Sequence, residues 1–246
     1  MKAQKRQGII LYRGPSMLDG NPIIAVATFG SRNVKTGAMV QTWILSDDGM
    51  NPVAAAEAGL DASVCGACPH RRSLGGACYV NLGQAPLAVY RAAQRGSYTD
   101  EWSATDFAGH MVRMGSYGDP AAVPASVWRE VLSESSGWTG YTHQVRHKAF
   151  QPELLDWVMV SADTPKQAAQ LHEKGLRTFR VKTAESPMLP GEIECLADSK
   201  GLSCVECGLC DGARKETASI AITVHGSLSG RYVNKYGNAN IIAVAG

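Results

Sequence analysis

The chain lacks any apolar run approaching the ~20 residues that cross a bilayer, which excludes a membrane-spanning helix. It lacks a large charge of one sign. Its 24 basic and 22 acidic residues leave a net charge of +2, too near neutral to argue by itself for nucleic acid or a membrane surface. It also lacks low-complexity segments, internal repeats and a Pro/Gly/Ser-rich linker. The 246 residues therefore read as a single domain with one sizeable core. The basic start, MKAQKRQGIILYRGPS, has no apolar stretch or cleavage site of a secretory signal, and the expectation is a cytoplasmic protein. No G-x-G-x-x-G, G-x-S-x-G, H-E-x-x-H or G-x4-G-K-[ST] motif is present. Their absence counts against dinucleotide-dependent enzymes, serine hydrolases, zincins and P-loop proteins.

What is present is clustered cysteine. The seven cysteines fall into two groups, Cys65, Cys68 and Cys78, then Cys195, Cys204, Cys207 and Cys210. An odd number in a reducing compartment points to metal binding or redox chemistry rather than a disulfide framework. The second group, C-x8-C-x2-C-x2-C, can enclose one metal centre completely. Zinc and a [4Fe–4S] cluster both accept four thiolates. The first group, CGACPHRRSLGGAC, has the spacing C-x2-C-x9-C and leaves one coordination position open. Either His70 closes a Cys3His zinc site, or the group holds a [4Fe–4S] cluster with one iron free for a ligand. Arg71 and Arg72 would then set positive charge beside it.

Two strands, PIIAVATFG and AMVQTWIL, are joined through the turn-rich SRNVKTG, which reads as an N-terminal hairpin. NPVAAAEAG is a short helix with Asn51 as cap and Pro52 at the first helical position. From about residue 85, helix and strand alternate. The expected class is α/β, a partial or compact (β/α) barrel with mostly parallel strands. The domain would divide into a βα-rich core over about 60–190, a cysteine-rich metal-binding insertion over 191–215, and a final strand and tail over 216–246.

Chemistry in such folds sits on loops after the C-terminal ends of strands. Asp119 and Asp163 each follow a predicted strand and could serve as paired carboxylates. Alternatively, Asp119 begins a turn before Pro120, and Asp163 or Thr164 simply caps a helix. His143 ends another strand and joins them as a catalytic candidate. His143 and His147 are four apart but should diverge if His143 ends a strand. Arg113, on a predicted buried strand, needs a partner, which could be an anionic ligand or a protein carboxylate.

The open three-cysteine loop, the turn GSYGDP and the second cysteine group together resemble the radical S-adenosylmethionine (SAM) enzymes. In that family three cysteines hold a [4Fe–4S] cluster whose open iron binds SAM, and many members carry an auxiliary cluster. The resemblance implies one or two [4Fe–4S] clusters, SAM as cofactor and an electron donor as partner. It implies that Gly115, Gly118 and Asp119 belong to the cofactor-binding turn, with Arg113 on the strand leading into it. The family's usual loop spacing is C-x3-C-x2-C, which this chain does not reproduce. LYRGPSMLDG, NVKTG, CGACPHR, CYVN and YGDP also resemble a family of bacteriophage and prophage proteins. That context suggests a nucleic-acid base or nucleotide as substrate. Two other readings remain. One is a zinc-stapled nucleic-acid-binding protein without catalysis, with PHRR and GARK on phosphate. The other is a zinc-bearing barrel like the tRNA-guanine transglycosylases, with Asp119 and Asp163 as nucleophile and base.

Overall fold

A computed structural model of the chain describes residues 8–241. Nine strands form one sheet: β1 (Gly8–Pro15), β2 (Pro22–Thr28), β3 (Val40–Ser46), β4 (Met111–Tyr117), β5 (Gly137–Thr142), β6 (Met159–Ala162), β7 (Thr178–Lys182), β8 (Glu192–Glu194) and β9 (Ser219–Thr223). Their spatial order is β1-β2-β3-β4-β5-β6-β7-β9-β8. β1, β2 and β3 pair antiparallel. From β3 onward every pairing is parallel. Each parallel step needs a crossover connection, supplied by α1 (Pro52–Glu57), α2 (Ala62–Cys65) and α3 (Ala85–Gln94), then α4 (Ala125–Ser133) and α5 (Pro165–His172). The 3-10 turn Pro152–Asp156 serves between β5 and β6. Helices α6 (Leu196–Ser199) and α7 (Cys204–Cys207) carry the second cysteine group, and α8 (Ser229–Ile241) follows β9.

Local chemistry explains the boundaries. The Asn51 side chain accepts hydrogen bonds from the N–H groups of Val53 and Ala54, and Pro52 opens α1. Thr164 caps α5 through the N–H of Gln167, ahead of Pro165. Both are side-chain oxygens satisfying orphan donors of a helix start. The core lies between strands and helices. It includes Ile24, Val26, Ile44, Val112 and Met114 from the sheet and Trp128, Val131 and Leu154 from the covering layer.

The α/β class, the mostly parallel sheet and the N-terminal hairpin agree with expectation. The sheet is not closed, because β1 and β8 stand at opposite ends of the strand order. The β2–β3 connection nevertheless reaches the insertion. The Cys204 N–H donates to the Lys35 carbonyl at 2.9 Å, and Lys35 Nζ pairs with Asp198 at 3.0 Å. The segment expected to be a tail contains α8, a helix that returns onto the cysteine loop. Its Lys235 donates to the Pro69 carbonyl and its Arg231 to the Gly76 carbonyl. No helix among the described residues is long and apolar enough to cross a membrane.

Candidate functional site

Consecutive parallel strands in sequence order put their C-terminal ends side by side. The loops that leave those ends therefore share one mouth. Cys65 ends α2 after β3, Asp119 follows β4, His143 follows β5 and Asp163 follows β6. The contacts among them confirm the convergence.

Asp119 is buried, 6% exposed. Its Oδ1 accepts from the Ala121 N–H at 3.0 Å and the Thr142 hydroxyl at 2.8 Å. Its Oδ2 accepts from the His143 N–H at 2.9 Å and Gln144 Nε2 at 3.2 Å. The carboxylate thus has two donors on each oxygen. Burial pushes its pKa up, against the hydrogen bonds that lower it. This arrangement ties the ends of β4 and β5 together. It leaves the carboxylate little capacity to hold a cofactor amine or to act as a nucleophile.

Gly115 and Gly118 also pack against protein. Both have positive φ, +68° and +85°, a region that favours glycine. A Cβ on Gly118 would lie 2.6 Å from Ile44 Cβ and 3.2 Å from the Val64 carbonyl oxygen. One on Gly115 would lie 2.5 Å from the Gly118 carbonyl oxygen. The GSYGDP turn therefore presses directly on the residue preceding Cys65, and the Asp119 N–H donates to the Val64 carbonyl at 2.7 Å.

The first cysteine group is intact as a set of free thiols. Burial pushes the Cys65 thiol well up, and the neighbouring Cys68 and Cys78 push it further. Burial raises Cys78 as well. Gln144 holds this loop, accepting from the Ala67 N–H at 3.0 Å and donating to the Cys65 carbonyl at 3.0 Å. Arg71 is consumed internally. It pairs with Asp61 and donates to the carbonyls of Gly66 and Gly59. Arg72 donates to the Val80 carbonyl.

His70 turns to Asp163, with Nε2 2.6 Å from Oδ1. His143 Nε2 lies 3.6 Å from Oδ2 of the same carboxylate. The two imidazoles hold the Asp163 carboxyl well below the usual carboxylate range despite its burial. Burial opposes charge on His143, but Cys68 and Asp163 outweigh it and raise its pKa well above the ordinary value. His147 takes no part. Its Nδ1 accepts from the Ala149 N–H.

The second cysteine group lies on the insertion between β7 and β9 and packs on the sheet. Cys195, Leu209 and Cys210 cluster with Tyr141, Met159, Phe179 and Ile220. All four cysteines line a small cavity of about 20 Å³. Burial pushes the Cys210 thiol up to about 12, against hydrogen bonding from Tyr141. Burial also raises Cys204, with Arg113 opposing. Arg113 lies between the two groups. Its Nη2 donates to the Tyr79 hydroxyl at 3.1 Å, next in sequence to Cys78, and its guanidinium carbon sits 5.4 Å from the Tyr141 ring centre. Its side-chain contacts are thus with Tyr79 and Tyr141, with Cys204 within electrostatic reach.

Among the described residues, the one trio of His, Cys, Asp or Glu whose ligand atoms lie within 4.8 Å of one another is His70, His143 and Asp163. Neither cysteine group draws three sulfurs together that tightly. A tetrahedral zinc with Zn–S bonds near 2.3 Å holds its thiolates roughly 3.8 Å apart. A four-iron cubane spreads them wider, because each sulfur caps a different corner.

Comparison with protein-family models, curated proteins and solved structures finds no match to this chain.

Sequence reasoning singled out the two thiol groups, Asp163 and His143 as candidates. It missed Gln144 and the convergence of His70 on Asp163. A glutamine one residue after a strand-end histidine carries no motif, and the His70–Asp163 contact joins residues 93 apart in sequence.

Proposed function

We propose that the chain is an iron–sulfur enzyme resembling the radical SAM proteins, with Cys65, Cys68 and Cys78 holding a [4Fe–4S] cluster that keeps one iron open. Cys195, Cys204, Cys207 and Cys210 would hold a second, fully ligated cluster. The observation that carries this reading is a three-thiol loop at the C-terminal mouth of consecutive parallel strands, packed against a glycine turn from the next strand. His70 is engaged by Asp163, which supports an open position rather than a Cys3His site.

When bound, an open-iron cluster would supply one-electron reducing power to a ligand at the free iron. The chain's own residues supply the frame. Gln144 and Asp119 fix the cysteine loop, Tyr117 sits close beside Cys65, and α8 covers the loop from outside. The turn glycines fit close packing rather than a ligand cradle, and Asp119 is already saturated. The SAM part of the proposal therefore rests on topology and the open site, not on that acid. A nucleic-acid base or nucleotide is the proposed substrate class, within a phage-infected cytoplasm. An electron donor is the proposed partner. Non-catalytic binding of nucleic acid finds less support, because Arg71, Arg72, Arg214 and Lys215 all have partners within the chain.

The experiment is reductive turnover. Protein prepared without oxygen, reduced and mixed with SAM, should yield 5′-deoxyadenosine, and Cys78→Ala should abolish it. An iron–sulfur protein that leaves SAM intact would remove SAM from the reading and keep the cluster.

A further inference from the structure

His70, His143 and Asp163 come from three separate elements, the cysteine loop, the end of β5 and the end of β6. Their ligand atoms meet within 4.8 Å. We propose that they form a mononuclear site for a divalent first-row transition-metal ion, adjoining the first cysteine group but built from its own three ligands.

Two imidazole nitrogens and one carboxylate are a donor set that suits zinc, iron, nickel or copper. Three protein ligands with a free position are also the pattern of catalytic rather than structural zinc. A simple His–Asp hydrogen bond accounts for only part of the geometry. It explains His70, 2.6 Å from Oδ1. It leaves His143 Nε2 buried with no hydrogen-bond partner, aimed at the other carboxylate oxygen from 3.6 Å. An ion among the three would take the lone pair of that nitrogen and neutralise the buried carboxylate at once. Ligand atoms at bonds of about 2.0–2.2 Å stand roughly 3–3.5 Å apart. His143 and Asp163 are already near that spacing. His70 sits on a loop and needs to back away by less than about 1 Å to reach it.

The surroundings fix the Asp163 backbone independently of any ion. The Asp163 carbonyl accepts from the Tyr232 hydroxyl at 2.8 Å and from Asn240 at 3.2 Å. Its N–H donates to Gln167 at 2.8 Å. The rings of Tyr232 and Tyr236 stand 5.8 and 5.9 Å from His70 and shield it from α8's side. Outer partners that orient ligands are a regular part of metal sites. The Cys68 sulfur lies beside His143 but outside the trio. The site would place a Lewis acid at the same mouth as the first cysteine group, where it could bind water or an anionic substrate group.

The test uses the whole chain, isolated without oxygen and stripped of loosely held metal with a chelator, then titrated with Co²⁺. One added cobalt per chain is expected. Its X-ray absorption should show a nitrogen/oxygen first shell with imidazole scattering. Asp163→Asn and His70→Ala should each weaken that binding by at least about tenfold, with iron, sulfide and thiol-bound metal unchanged. A cobalt shell of sulfur, no cobalt beyond the thiols, or binding unaffected by both substitutions would overturn the proposal. The absorption result on the unaltered chain stands whether or not a variant folds. Failure of the iron–sulfur reading would show in the iron and sulfide counts and leave the cobalt result separate.

Discussion

Gln144 Nε2 lies 3.2 Å from Asp119 Oδ2, and the same amide grips the cysteine loop at Cys65 and Ala67. A buried carboxylate at the end of one strand thus fixes, through the glutamine after the next strand, the loop that carries the first thiol group. The link between fold and site is this pair. Neither residue needs to touch a ligand to control the chemistry.

Asp119→Ala should therefore act on stability and on metal content together. It would leave the Thr142 hydroxyl and the His143 N–H without their acceptor in a buried place and take one of the two acceptors of Gln144 Nε2. The expected cost is about 3 kcal/mol or more, read by chemical denaturation. Gln144→Ala should cost less stability, yet still reduce metal at the first cysteine group and spare the second. Full metal loading in both variants would contradict the positioning role.

Gly118→Ala should be worse than a surface Gly→Ala change. The new methyl meets Ile44 Cβ at 2.6 Å at a positive φ. Overpacking and backbone strain each cost about 1–3 kcal/mol. A melting temperature within a degree or so of the parent would show that the turn is looser than its packing implies.

Glu192 and Arg180 form a doubly bonded pair at 2.7 and 2.6 Å, with both side chains 0% exposed. Removing one partner of a buried pair leaves an uncompensated charge and costs about 3–5 kcal/mol. Because Glu192 opens β8 and Cys195 follows that strand directly, Glu192→Ala should also weaken metal binding by the second group. Denaturation and metal analysis of that variant check both effects.

Thiols raised by burial are protonated at neutral pH. Cys210, pushed up to about 12, must lose its proton when it becomes a ligand. Loading the metal-free second group with Zn²⁺ alone should release thiol protons, that of Cys210 among them, and affinity should rise with pH. A pH-indicator titration measures this. Release near zero would mean that the metal is not on thiolates.

Several features of this fold were legible because local chemistry declares them. Asn51-Pro52 and Thr164-Pro165 mark helix starts by capping, and the apolar strands of the parallel region show themselves as short buried runs. β1 went unread because GIILYRGP sits inside a basic opening segment, and its core residues are few, Ile9 and Leu11, with a register break after Ile10. β8 has three residues, too few for any period. α8 reads SGRYVNKYGNANI, with two glycines and three asparagines, all poor helix formers. It is a helix because Tyr232 and Asn240 bond to the Asp163 carbonyl, a contact that no local pattern contains. At the site, cysteine spacing announced the thiol groups. The role of Asp119 did not follow from its place at a strand end, because saturation by four donors depends on β5 lying beside β4.

The most direct test is elemental analysis of protein isolated without oxygen, with iron, acid-labile sulfide and zinc counted per chain. Two four-iron clusters predict about eight irons, matching sulfide, and a broad absorbance near ~400 nm from cysteine-bound iron. A colourless protein with zinc on its thiols and no sulfide would contradict the account and make both cysteine groups structural.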